Sequence, residues 1–214
     1  MQCYGNPSPA MRREVDVERV RALAAASGGR IGIVTLPAPG RPRFVLDLAC
    51  TTAGSQRYPR EQRTTTRLAI DLAPRHPFAP PIATVLTPIF HPHVFASGLV
   101  CIGAKWLPSE GMDLFVKRIV RLLAFDPLLM NPVSIAHGAA QAWYQSAQRL
   151  HPEDFPTDPA AIAFASGASA EAGAPPPSRV VRNCPQCGTG LRLPAGRAGS
   201  VNCPRCGHAF ATSS

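Results

Sequence analysis

Long hydrophobic runs are missing from this 214-residue sequence. No stretch approaches the roughly 18–20 consecutive apolar residues that a helix needs to cross a bilayer, and the first ten residues lack the apolar segment of a secretory signal. Proline and glycine, 24 and 17 residues, stay below the share typical of low-complexity chains. These absences argue against a membrane partner and predict a cytoplasmic protein, most of which folds.

Charged residues are few and unevenly spread. Lys105 and Lys117 are the only lysines among 22 basic residues, which indicates either codon bias in a GC-rich genome or a protein that gains from having few amines near an amine-reactive intermediate. Acidic residues number 13, so the net charge is +9. Residues 178–214 hold five arginines and no acid, and a basic patch of this kind is one mark of nucleic-acid binding.

The hydrophobic pattern predicts an α+β domain. A helix is expected over residues 12–27, where apolar residues recur at helical spacing. Four strand-like runs separated by turn-forming segments follow, at residues 31–36, 43–50, 64–72 and 82–86. An ordered loop is expected over residues 87–108, after which Asp113 would cap one helix and Asn131 would cap another that reaches Leu150. This order predicts an antiparallel meander behind an N-terminal helix.

Composition divides the chain into three segments. Residues 1–164 contain enough apolar side chains for a core, and residues 165–178 are small, polar and proline-rich, which predicts a flexible linker. Residues 179–214 are too short and too polar to fold around a core of their own. The third segment therefore needs another source of stability.

Four cysteines of the tail have the spacing of a metal site. They form two Cys-x-x-Cys pairs with 15 residues between them, each pair followed by glycine, and they are Cys184, Cys187, Cys203 and Cys206. Each pair lies on a tight turn that aims two sulfurs at one point, as a tetrahedral four-thiolate site requires. We predict structural zinc, since disulfides do not suit the expected compartment and a redox pair would not need two copies. The segment resembles small bacterial zinc ribbons.

Cys101 is a different kind of cysteine. It lies in an apolar loop between Gly98 and Gly103, ten residues after His91 and eight after His93. A thiol near groups that accept and donate protons is a candidate nucleophile. Spacing alone leaves a purely structural role open.

Landmarks along the chain resemble those of ubiquitin-conjugating enzymes. They are His-Pro-Phe-Ala-Pro-Pro from His76, Thr-Pro-Ile-Phe-His-Pro-His ending at His93, and Gly-Leu-Val-Cys-Ile around Cys101. In the family pattern the active cysteine follows the Asn of His-Pro-Asn by eight residues, the separation between His93 and Cys101. The resemblance covers roughly residues 12–164. It implies the UBC-like fold: an N-terminal helix, a four-stranded antiparallel meander, a catalytic loop and C-terminal helices, here with a zinc ribbon added.

The resemblance implies a thioester carrier. Cys101 would accept a ubiquitin-like modifier from an activating enzyme and pass it to an amine, usually a lysine, of a target protein. His93 stands at the position where the family has an Asn, which has been assigned to stabilising the oxyanion or to holding the loop that does so. His93 would therefore donate a hydrogen bond to the oxyanion, accept a proton from the incoming amine, or only brace the loop. Asn131 would either orient the acceptor amine or cap its helix.

Two other functions are consistent with the sequence. In one, the same fold binds a modifier without carrying it, although a retained Cys101 argues against that. In the other, the protein binds nucleic acid through its basic ribbon. The bias of arginine over lysine and the ribbon type favour a bacterial member, from ubiquitin-like conjugation systems of which some are linked to antiphage defence. The ribbon would help to bind an activating enzyme or a target, or would replace a ligase.

Overall fold

The computed structural model describes residues 9–103, 106–167, 179–194 and 198–213. The chain divides into two compact units, Met1–Ala170 and Glu171–Ser214, and each is described by itself. Of the predicted linker, Ala165 is the last residue of a helix, and residues 168–178 lie outside the described residues. Within the described ranges, no helix is both long and apolar enough to span a bilayer.

The first helix, the four strands after it and the next two helices follow the predicted order. The helices are α1 (Pro9–Ala26), α2 (Met112–Leu123), α3 (Gly138–Leu150) and α4 (Pro159–Ala165), with a 3-10 turn at Pro152–Asp154. The strands of the first unit are β1 (Ile31–Thr35), β2 (Arg43–Ala53), β3 (Gln62–Asp71) and β4 (Ile82–Val85). Those of the second unit are β5 (Arg179–Asn183), β6 (Gly190–Pro194), β7 (Ala198–Asn202) and β8 (Ala209–Ser213).

Strands β1 to β4 form one antiparallel sheet in which each strand pairs with the next along the chain. On β2 the side chains of Phe44, Leu46 and Leu48 are all fully buried, and Leu46 lies opposite Leu68 of β3. Since successive side chains of a strand point to opposite faces, this alternation buries one face of the sheet. The predicted four-stranded meander is confirmed.

Helices α1 and α4 each pack against α2, while α1 and α2 also contact the sheet, and the core lies between them. Helix α2 contributes most, with seven buried side chains that include Phe115 and Ile119. Helix α1 adds Val20 and Leu23, which are buried at the helical spacing seen in the sequence. Helix α4 was not predicted; Asp158 caps it by accepting the N–H of its third residue, Ala161, which stabilises the start of this short helix.

The N-terminus of α2 is capped from another helix. Asp113 was predicted as the cap, and this is wrong, because α2 begins at Met112 after Gly111 and Asp113 lies in the first turn. The N–H of Met112 donates instead to Oδ1 of Asp16 on α1, 3.2 Å away. A cap supplied by a distant part of the chain satisfies the same exposed N–H group that a local cap would satisfy.

The start of α3 also differs from its prediction. Asn131 does not cap it, since α3 begins at Gly138 and its cap is His137, whose Nδ1 accepts an N–H from the first turn at 3.0 Å. Asn131 instead closes a tight turn, with its Oδ1 accepting the N–H of Val133 at 2.9 Å. Residues 131–137 are therefore a separate segment that precedes α3.

Asp16 is the centre of a buried polar cluster beneath α1. Its Oδ2 accepts a hydrogen bond from Arg12 Nε at 2.9 Å and lies 2.8 Å from His76 Nε2. Arg12 also donates to the carbonyl oxygens of Pro108, at 2.8 Å, and Glu110. Burial alone would raise the pKa of the Asp16 carboxyl, but the hydrogen bonds from His76 and Arg12 outweigh it and hold that pKa below its usual range. The cluster joins α1, the loop before β4 and the start of α2.

We expect Asp16→Asn to lower the free energy of unfolding by on the order of 3 kcal/mol, because it leaves the buried Arg12 without its anionic partner. Asparagine keeps the volume and an acceptor for Met112, so the loss reports the charge. Urea unfolding followed by tryptophan fluorescence measures it, since both tryptophans of the chain, Trp106 and Trp143, lie in the first unit.

The matched control is Asp47→Asn, which removes an ion pair with Arg67 on the exposed face of the sheet. Its effect is expected to be much smaller, because water already screens that pair. Equal losses in the two variants would contradict a special role for the Asp16 cluster.

Candidate active site and metal-binding cluster

The loop that carries Cys101 is fastened to the edge strand β4. The N–H of Val100 donates to the Ala83 carbonyl at 2.9 Å, and the N–H of Val85 donates to the Gly98 carbonyl at 2.8 Å. Gly98 has a φ of +84°, and a Cβ there would collide with the Val85 carbonyl oxygen, so the turn requires glycine. Cys101 follows directly and takes its position from these contacts.

Two buried histidines brace the other side of the loop. His91 donates from Nε2 to the Leu122 carbonyl of α2 at 2.9 Å, and its Nδ1 accepts the N–H of His93 at 3.1 Å. The carbonyl of His93 in turn accepts the N–H of Cys101 at 2.8 Å. Burial, with a smaller contribution from the adjacent His93, lowers the pKa of His91 to about 3, so its ring is neutral. A continuous path of hydrogen bonds thus joins α2 to Cys101.

The ring of His93 holds the segment 131–137. Its Nε2 accepts the N–H of Asn131 at 3.2 Å, so Nδ1 carries the proton, and Nδ1 is buried without a hydrogen-bond partner among the described residues. Burial lowers the pKa of His93, and the nearby backbone of Ser134 offsets part of that shift. A neutral ring engaged in this way has the geometry of a brace, which is one of the roles considered from the sequence.

Cys101 and Ser134 meet where the segment 131–137 folds back over the loop. The thiol Sγ and the hydroxyl Oγ are 3.2 Å apart, and both residues are half-buried. The segment is held there because the N–H groups of Ala136 and His137 donate to the Pro92 carbonyl at 2.9 and 3.0 Å. Ser134 was not among the predicted site residues, because its contact with the thiol depends on this folding back and has no signal in local spacing.

The predicted site residues Cys101, His93 and Asn131 are neighbours in the structure. His93 is hydrogen-bonded to the backbone of both others, whereas the Asn131 side chain is exposed and engaged in its own turn. Cys50 provides a contrast: it is 1% exposed, and burial raises the pKa of its thiol to about 12. Only a thiol that solvent and a partner can reach is suited to nucleophilic chemistry, and Cys101 meets that condition.

The second unit places four sulfurs together. In each of the hairpins β5–β6 and β7–β8, a Cys-x-x-Cys turn connects the two strands and is followed by a glycine with φ near +70°, Gly188 or Gly207. The ligand atoms all lie within 4.8 Å of one another, and they belong to Cys184, Cys187, Cys203 and Cys206. Two of the sulfur–sulfur distances are 3.7 and 3.6 Å, close to the edge of about 3.8 Å that a tetrahedron with 2.3 Å metal–sulfur bonds has. The cluster can bind one metal ion.

The protonation of these thiols also suits a cation. Hydrogen bonds from Thr189 lower the pKa of Cys187 to about 6. A backbone hydrogen bond from His208 lowers that of Cys206, but desolvation and the neighbouring sulfurs outweigh it and raise it to about 12. Sulfurs this close cannot all ionise in the absence of a positive charge, and a bound metal ion supplies one.

Known proteins resemble the first unit. The family model described as Ubiquitin-conjugating enzyme matches residues 44–156, more than half of the chain. The mouse protein Ubiquitin-conjugating enzyme E2 T is 37% identical over 86 residues, which make up 40% of this chain and 42% of that protein. The Caenorhabditis elegans protein Ubiquitin-conjugating enzyme E2 1 is 30% identical over 99 residues, 45% of this chain and 49% of that protein. The chain therefore spans less than half the length of the curated relatives it matches.

The solved structure of human Ubiquitin-conjugating enzyme E2 G1 aligns with a TM-score of 0.42 at 18% identity, over 52% of this chain and 93% of that structure. The match to the family model contains β2 from Phe44 onwards, strands β3 and β4, both histidines of the loop and Cys101. The chain belongs to the ubiquitin-conjugating enzyme family, as the landmarks in the sequence predicted.

The stability of the first unit is expected to fall as the pH drops below about 6.5. His91 has its pKa lowered to about 3 in the folded protein, whereas an unfolded histidine takes up a proton near pH 6.5. Because the unfolded chain then binds more protons, each such histidine costs about 1.4 kcal/mol of stability per pH unit between these two values. Urea unfolding at pH 7 and pH 5 measures the slope.

His91→Gln cannot titrate, so its loss of stability between pH 7 and pH 5 is expected to be smaller than that of the unchanged protein. His151→Gln is the matched control at an exposed histidine and is expected to keep the original slope. An unchanged slope in His91→Gln would contradict the assignment.

Proposed function

We propose that Cys101 accepts a ubiquitin-like modifier as a thioester from an activating enzyme and transfers it to an amine of a target protein, most commonly a lysine. The observation that carries this proposal is the reachable thiol of Cys101 in a braced loop, inside the part of the chain that matches the family. The curated relatives are named as ubiquitin-conjugating enzymes. Their names support a modifier, an activating enzyme and a target as partners.

The chemistry would consist of two acyl transfers. The Cys101 thiolate attacks the thioester carbonyl carbon of the incoming modifier, a new carbon–sulfur bond forms, and the thiolate of the activating enzyme leaves. An acceptor amine then attacks the same carbon, the carbon–nitrogen bond forms, and Cys101 leaves with the electron pair while the amine loses its proton to solvent. His91 and His93 would keep the loop fixed so that both attacks meet the same geometry.

The rival functions have less support. A non-catalytic module that only binds a modifier has no use for a reachable thiol at this position. The comparisons lend no support to a nucleic-acid partner. Bacterial origin, antiphage defence and cytoplasmic location stay predictions. Lys105, a lysine near Cys101 in the sequence, lies outside the described residues.

The test is incubation with the cognate activating enzyme, modifier and ATP. The unchanged protein is expected to form an adduct that a thiol reductant removes. In Cys101→Ser the adduct is expected to survive the reductant and to be lost in alkali, because an oxygen ester replaces the thioester. Non-reducing electrophoresis and intact mass spectrometry detect both species.

Cys50→Ala is the matched control, since Cys50 is the buried cysteine of the same unit, and its adduct is expected to form as in the unchanged protein. Cys101→Ala is expected to form none. An adduct that persists in Cys101→Ala would overturn the proposed function.

We further propose that Cys184, Cys187, Cys203 and Cys206 hold structural zinc. The support is the sulfur geometry and the all-thiolate donor set, which zinc favours in closed tetrahedral sites. Two short hairpins have little core of their own, so the metal would supply most of their folding energy. The ribbon would then help to bind an activating enzyme or a target, or would replace a ligase.

The purified protein is expected to contain an equimolar amount of zinc by elemental analysis, and Cys203→Ser is expected to lose most of it. Removal of zinc by a chelator should collapse the dispersed amide signals of Gly188 and Gly207, since both depend on the closed knuckles. Cys101→Ala is the control and should retain its zinc. Full zinc content in Cys203→Ser would contradict the ligand assignment.

A further inference from the structure

The thioester chemistry proposed for Cys101 needs a hydrogen-bond donor near the reacting carbonyl. Both transfers pass through a tetrahedral oxyanion, which requires donors within about 3 Å of the oxygen. His93 is not available, because its Nε2 already accepts the N–H of Asn131 and its protonated Nδ1 is buried. A different group must therefore supply the donor.

Three backbone N–H groups of the segment that faces the thiol are already engaged. The N–H of Asn131 donates to His93, the N–H of Val133 donates to the Asn131 side chain, and the N–H of Ser134 donates to the Asn131 carbonyl at 3.3 Å. The carboxamide oxygen of Asn131 is used in the same turn. These bonds fix the segment and leave a side-chain hydroxyl facing the thiol.

We propose that the hydroxyl of Ser134 is a catalytic residue that donates its hydrogen bond to the reacting thioester group at Cys101. Its Oγ lies 3.2 Å from Sγ. A thiolate has no proton to donate, so the serine hydroxyl is the donor when Cys101 is ionised. When Cys101 carries an acyl group, the same hydroxyl can donate to the carbonyl oxygen of the thioester. Gly103 leaves the hydroxyl uncrowded on its side, since even an added Cβ there would lie 3.6 Å from Ser134 Oγ. Ser134 is half-buried, and limited access of water strengthens such a bond.

This inference rests on the proposed function and adds the group that stabilises its charged intermediates. When the amine attacks, the carbonyl electron pair moves to oxygen and the Ser134 hydroxyl donates to that oxyanion. When the intermediate collapses, the carbon–sulfur bond breaks and its electron pair returns to Sγ, where the same hydroxyl donates to the thiolate. The serine keeps its proton throughout, so the only proton released comes from the amine.

The experiment compares Ser134→Thr with Ser134→Val, two side chains of nearly the same shape of which one keeps the hydroxyl. The full chain carries Cys3→Ser, which removes a further cysteine of the first unit that the reagent could acylate. Cys101 is acylated by a 2-mercaptoethanesulfonate thioester of acetyl-Gly-Gly, and intact mass spectrometry follows the transfer of the acyl group to free lysine. Ser134→Val is expected to slow this discharge by on the order of a hundredfold, the cost of removing one oxyanion donor. Ser134→Thr is expected to stay close to the unchanged protein.

Equal discharge rates in the two variants would overturn the inference, and so would an unchanged protein that takes up no acyl group at Cys101. Equal melting temperatures of the two variants separate the hydroxyl effect from a folding defect. The peptide thioester needs no activating enzyme, so the outcome is independent of the modifier test. A difference between the variants without any modifier adduct would keep the role of Ser134 and remove the proposed function.

Discussion

The buried imidazole of His91 joins the long irregular loop to the regular part of the fold. One ring nitrogen donates to the last turn of α2 and the other accepts from the loop backbone at His93. An irregular segment has few backbone partners of its own, so a side chain that satisfies two backbone groups at once decides its path. Because burial keeps this ring neutral, both of its hydrogen bonds have a fixed direction, and the position of Cys101 follows from them.

The same loop becomes a site only when a second segment closes over it. His93 accepts from Asn131, and the Pro92 carbonyl accepts from two further N–H groups of the segment 131–137. These contacts delay the start of α3 to Gly138, because backbone groups that serve the loop cannot also serve a helix. The result is the contact between Cys101 and Ser134. The thiol of Cys101 and the hydroxyl of Ser134 thus meet because N–H groups of the segment 131–137 bind the loop instead of extending α3.

Long-range polar contacts also explain where prediction was wrong. Asp113 has the chemistry of a helix cap, yet the cap of α2 is Asp16, which reaches it from α1 while binding Arg12 and His76. Local sequence does not distinguish Asp113 from Asp16, because capping depends on which carboxylate lies at the helix end in three dimensions. Ser134 was missed for a related reason: a single serine between Val133 and Ile135, in a segment without helical or strand periodicity, has no distinctive pattern.

The sequence by itself determined the order of the first helix, the four strands and the next two helices, and the alternation that buries Phe44, Leu46 and Leu48. It also determined the two knuckles with their four cysteines. These features depend on the period of side chains along a backbone and on turn geometry. It also singled out Cys101 through its spacing from His93. Tertiary structure alone decided that His93 faces Asn131, that α3 starts late and that Ser134 meets the thiol. Those outcomes depend on contacts between segments more than thirty residues apart, for which no local periodicity exists.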